Sequence, residues 1–213
     1  MNILKKDFKE DKAILLSAVI VTLLLTVLFG FYGAYCSISI FTIFIGSGII
    51  SKEKDKIDFL FSKPISREKI FFLKIFISGL YILVLFASAF IVIGLIVEFR
   101  RSCFACSQYV IYFYNNPSDF LPDKSYLPLL LSFIPVFFSI PFFFSVLTYD
   151  SSYSFLVSII VIFFLDILPG VICKKLEILN YSRNKEVYTY SHFLISAIFL
   201  ILSYEVFKRK KYN

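Results

Sequence analysis

Few side chains in this sequence are of types that do chemistry, and their spacing supports little of it. There is one histidine, His192, with no HExxH pattern, so zinc-hydrolase chemistry and a local histidine-based triad have no footing. No GxxxxGK[ST] loop occurs, so the chain lacks the phosphate cradle of P-loop nucleotide binding. Cys103 and Cys106 form a CxxC, but without a second ligand pair at a metal-binding spacing this is a weak metal signal. Asp166 is the one acid well inside an apolar run, and such residues are functional candidates by default. It lies towards the end of its run, within reach of Lys174 or Lys175, which favours an ion-pair or helix-end role.

The densest group of charges runs from Ser51 to Lys74, SKEKDKIDFLFSKPISREKIFFLK, between two strongly apolar stretches. Ile57, Leu60, Phe61 and Pro64 recur at a spacing of three to four. Lys52, Glu53, Lys54, Asp55, Lys56, Asp58 and Lys63 occupy the other faces. The pattern predicts an amphipathic helix over about 52–63, stopped by Pro64. Ser66 is placed to cap the next helix, with Glu68 in its first turn.

The elements that position this segment follow from composition. The 213 residues are 59% hydrophobic and 17% charged, with mean hydropathy +0.82, and apolar runs of about twenty residues match the thickness of a hydrocarbon core. The expected fold is all-α and integral to a membrane, one domain over 1–213. Its spans are expected at about 13–32, 35–50, 75–97, 126–147, 153–172 and 189–207. The first two are joined by a turn at Gly33-Ala34. Outer loops are expected at about 98–125 and 173–188. Lys74 is placed to snorkel at the foot of the third span, Pro128 suits a first helical turn, and Pro135 and Pro141 should kink the fourth span. No cleavable signal peptide is apparent, and no internal repeat stands out.

The net charge of +7 reads as topology rather than as nucleic-acid binding, because the basic residues flank the apolar runs. The two termini and the 51–74 segment carry fifteen basic residues and the opposite side seven. The positive-inside rule then puts both termini in the cytoplasm of a multi-pass cell-membrane protein. On that topology Cys36, Cys103, Cys106 and Cys173 fall at or near the outer face. This fits one or two disulfides in an oxidising exterior, or equally four unpaired small hydrophobes.

The sequence EKDKIDFLFSKPISREKIFFLK resembles the cytoplasmic loop of permease subunits of type-2 ABC exporters. In that family a Glu-containing amphipathic helix precedes a small-x-Pro-(Val/Ile)-Ser-Arg turn and a Lys at the foot of the third span. Glu53, Asp58, Phe59, Leu60, Ser62, Pro64, Ile65, Ser66, Arg67 and Lys74 match, while Asp55-Lys56 replaces the frequent Gly-Thr. The six-span layout, long loop after the third span and basic tail agree. The resemblance implies a coupling helix docking on a separate cytoplasmic ABC ATPase dimer. Ile57, Leu60 and Phe61 would be its apolar anchors, with Glu53 and Asp58 among the polar contacts. Arg67 would brace the turn after Pro64. It also implies a second permease copy or a paralogous permease in the lipid bilayer, with outward movement of an apolar or amphipathic compound between the two. No cofactor is expected in this chain; ATP and Mg would belong to the partner, and the chain itself is not expected to be an enzyme. A non-transporting immunity or sensor subunit and an ATP-independent channel are the alternatives.

Overall fold

The computed structural model describes residues 2–51, 66–102, 127–167 and 185–209. Among them every regular element is helical: α1 (Asn2–Ser51), α2 (Arg67–Ser102), α3 (Leu127–Thr148), α4 (Ser151–Ile162) followed by a π-helical turn (Phe163–Ile167), and α5 (Lys185–Arg209). Four described stretches are long and apolar enough to cross a membrane: Lys12–Gly48, Glu68–Glu98, Leu127–Thr148 and Glu186–Arg209. A shorter apolar stretch covers Ser151–Leu165. Six spans are expected, so four such stretches bear only part of that expectation.

The first stretch is not one rod. At Gly30 the backbone takes φ 61° and ψ −143°, a conformation that a residue without Cβ adopts freely. The chain folds back there. Ser37 Oγ lies 3.2 Å from Thr22 Oγ1, although fifteen residues would separate them by about 22 Å along a straight helix. The expected turn at Gly33-Ala34 is therefore misplaced by three residues. Gly33 is helical and buried instead, because the returning arm passes so close to Leu25 that a Cβ would collide with its carbonyl oxygen. Small residues at helix contacts in membranes serve this close approach.

The described chain divides into two compact units, Met1–Phe41 with Gly79–Ser125, and Thr42–Ser78 with Tyr126–Asn213. In the first, Phe31, Ala34, Tyr35 and Ile38 of α1 face Phe86, Ala89, Phe90 and Ile93 of α2 around a small apolar pocket. In the second, α3 is the central helix. Val136 and Ile140 pack with Ile162, bordered by Ile43, Ile195 and Phe199. α3 continues through Pro135 and Pro141 as one helix. Ser154 of α4 donates to the Pro141 carbonyl at 2.7 Å, and Gly46 of α1 approaches the same place, since an added Cβ would stand 2.8 Å from Phe138 O.

Many of the residues buried in this unit are small and polar: Ser132, Ser139, Ser145, Ser154, Ser158, Ser196 and Ser203. Several satisfy their hydroxyl within the helix, as Ser132 does on Leu129 O, Ser158 on Ser154 O and Ser203 on Phe199 O. With no water to solvate them, polar groups that close locally let helices meet with few orphaned donors, Ser145 Oγ being one that finds no partner among the described residues. Between α3 and α4, Tyr149 takes φ 56° and Asp150 caps α4 by accepting from the backbone N–H of Ser152 and Tyr153.

Candidate functional site

The first two turns of α2 carry the described part of the predicted coupling region. Ser66 precedes the helix. The Lys69 N–H donates to Ser66 Oγ at 3.4 Å and the Ile70 N–H to Ser66 O at 3.3 Å, with Glu68 in the first turn, so the expected cap forms. Glu68, Phe71 and Phe72 follow at i, i+3 and i+4 and therefore share a face. All three meet Tyr204 near the end of α5. The Tyr204 hydroxyl donates to Glu68 Oε1 at 2.7 Å, and its ring centroid lies 5.4 Å from Phe71 and 6.0 Å from Phe72.

α5 answers with the same spacing. Tyr204, Phe207 and Lys208 stand at i, i+3 and i+4. Phe207 is 5.5 Å from Phe71, and Lys208 Nζ sits 5.8 Å from the Tyr204 ring centroid. Phe142 of α3 completes the ring around Phe71 at 5.4 Å. Phe71 is buried, as are Phe142 and Phe207. The edge-to-face and tilted arrangements suit the aromatic quadrupoles, each pair adding on the order of 1 kcal/mol beyond burial. A charged fringe lies just beyond, where Arg209 bonds Glu205 at 3.0 Å. Lys208 and Arg209 also complement the helix C-terminus.

The far end of the α3–α5 contact is polar. His192 is buried, its Nδ1 2.8 Å from Ser132 Oγ and its ring 4.0 Å from the Phe133 centroid. Ser132 has one hydroxyl proton, and Leu129 O accepts it at 2.6 Å. A carbonyl has no proton to give in exchange, so His192 is assigned as the donor to Ser132 through Nδ1–H. Phe143 against Phe199, at 5.5 Å, fills the contact midway.

The residues singled out in the sequence meet this structure unevenly. Glu53, Ile57, Asp58, Leu60, Phe61 and Pro64 lie outside the described residues, as do Cys103, Cys106 and Cys173. Arg67 opens α2. Asp166 lies on the π-helical turn that follows α4, an irregularity often found at functional sites. Cys36 lies inside α1 and is exposed, and the three cysteines it could pair with lie outside the described residues. One reading needs correction. Lys74 does not snorkel. It falls on the inward stripe of α2 with Ile70, Phe71, Ile77 and Ser78, and is only 4% exposed.

Tyr204, Phe71 and Phe207 escaped the sequence reading. Their i, i+3, i+4 spacing was visible, but 28 Phe and 14 Tyr leave such spacings too common to stand out. Among the described residues no group of His, Cys, Asp and Glu is placed to hold a metal.

No curated protein and no solved structure matches this chain. A family model described as "ABC-2 family transporter protein" matches residues 34–204, from the folded-back arm of α1 to Tyr204 itself. The chain therefore belongs to the ABC-2 transporter family, as a multi-pass permease component of an ABC transporter.

Proposed function

We propose that this chain is half of the pathway of an ATP-driven exporter, moving an apolar or amphipathic substrate outward across the cell membrane. It crosses six times with both termini in the cytoplasm and pairs with a second copy or a paralogous permease. The helix at 52–63 docks on a separate ATPase dimer through Ile57, Leu60 and Phe61, with Glu53 and Asp58 at the rim. The chain performs no catalysis; the partner binds ATP and Mg. One observation carries the reading: in a chain of the ABC-2 family, the helix that follows this segment starts at a capped, aromatic-packed foot. A push delivered at Arg67 enters a packed group of helices rather than a loose end.

The test is co-purification of the tagged permease with its ATPase subunit, followed by transport into inverted vesicles. Leu60→Asp buries a charge in the docking groove and should abolish co-purification, while Arg67→Ala should lower permease-stimulated ATP hydrolysis. Unchanged assembly and activity in both variants would refute the coupling helix. Assembly with ATP hydrolysis but no vesicle transport of any amphipathic compound would favour the non-transporting subunit.

A further inference from the structure

We infer that Glu68 and Tyr204 are positioning residues that lock the start of α2 to the end of α5, so that the first turns of α2, together with α5 and α3, move as one body during the transport cycle. The inference rests on the coupling reading of 52–63 and adds to it which helices receive the stroke. The Tyr204–Glu68 hydrogen bond of 2.7 Å ties the two helix ends directly. A carboxylate acceptor makes this a charge-assisted bond, but it lies exposed, so its hold depends on the rings packed behind it. Behind it, Phe71 is enclosed by Phe72, Phe142, Tyr204 and Phe207 at 5.4 Å to 5.7 Å, so sliding α5 past α2 would break several ring contacts together.

The tie continues along α5. Phe143–Phe199 and Ser132–His192 hold α5 to α3 over three turns further from the foot. Side-chain packing of this kind is bistable rather than continuously deformable, so motion entering at Arg67 is passed on whole. The Arg209–Glu205 pair, by contrast, lies within one helix with both side chains well exposed, and ties nothing across.

The experiment uses the full-length permease with its four cysteines replaced by serine and spin labels at Lys69→Cys and Leu202→Cys, one on each tied helix. Electron–electron resonance distances are recorded for the permease alone, and for its ATPase complex without nucleotide and trapped with ATP and vanadate. With the labelled chain diluted into an excess of unlabelled permease, so that only distances within one chain are read, the otherwise unaltered chain should give one narrow peak in all three states. Tyr204→Phe with Glu68→Gln should keep wild-type co-purification yet broaden the peak in the permease alone and shift it on trapping. A peak that moves on trapping in the intact chain overturns the inference, as does a double variant as narrow and unmoved as the intact chain. Because 204 and 68 remain near-isosteric, the variant should fold; circular dichroism and elution volume check this. Failure of the intact permease to bind any ATPase would instead count against the coupling reading, and the peak width of the permease alone would still decide whether the tie exists.

Discussion

Gly33 and Gly79 allow the close-packing argument to be worked as one substitution at two places. At Gly79 an added Cβ meets nothing within 4 Å, so Gly79→Ala gains only the helix propensity of alanine, about 1 kcal/mol. Gly33→Ala gains the same but puts its Cβ into the Leu25 carbonyl, with Leu25 C and Phe29 Cβ both at 2.8 Å. Ordinary contact begins near 3.4 Å, so relieving these two contacts alone parts the arms by about 0.6 Å, and the nearer Leu25 carbonyl oxygen demands more. The colliding atoms are backbone and the root of a side chain and cannot swing aside. Overpacking of this kind costs about 1–3 kcal/mol, and opening the arms also stretches the Ser37–Thr22 contact, worth up to about 1 kcal/mol. The net expectation is a loss of about 1–3 kcal/mol for Gly33→Ala and a small gain for Gly79→Ala. At about 2–4 °C per kcal/mol for a chain of this size, the Gly33 variant should unfold roughly 2–12 °C lower. Thermal unfolding of both variants in one detergent, followed by circular dichroism, gives the comparison. A Gly33→Ala protein that melts at or above the parent would refute the close-approach account of the hairpin.

Two further outcomes follow from the same geometry. Ser132→Ala strips the acceptor from the buried His192 Nδ1–H and should destabilise the protein by about 1–3 kcal/mol, whereas Ser132→Ala with His192→Phe removes both polar groups and should recover part of that loss. A double-mutant cycle in thermal melts reads the coupling, and strict additivity would deny the bond. Cys36 should be alkylated by a membrane-permeant maleimide without prior reduction, as located by peptide mass analysis. Labelling that appears only after reductant would show Cys36 to be paired.

Much of the architecture is legible in the residues because the bilayer leaves few options. Runs of some twenty apolar residues without internal charge must be helices, since no water is present to satisfy an open backbone, and the helical segments around 75–97 and 126–147 follow from that alone. Ser66 as a cap and Pro128 within the first turn of α3 were readable for the same local reason. The hairpin was half legible: a glycine turn was expected, but Gly30 and Gly33 are indistinguishable by type. Which glycine bends and which lets Leu25 approach depends on the arm that returns, not on the neighbouring sequence.

What the sequence alone determined is a polytopic helical membrane protein without P-loop or HExxH machinery, bearing one amphipathic charged segment between apolar runs. That outcome rests on periodicity, length and charge, which are local quantities. What only the tertiary structure decided is which side chains face one another. Burial of Lys74, exposure of Cys36, pairing of Ser132 with His192 and closure of Tyr204 on Glu68 all join or hide residues according to how helices rotate and pack. Glu68 and Tyr204 lie 136 positions apart, and in a chain so rich in aromatic rings no local pattern selects that pair. The rotation of α2 against α5 selects it, and that rotation is a property of the whole packed group.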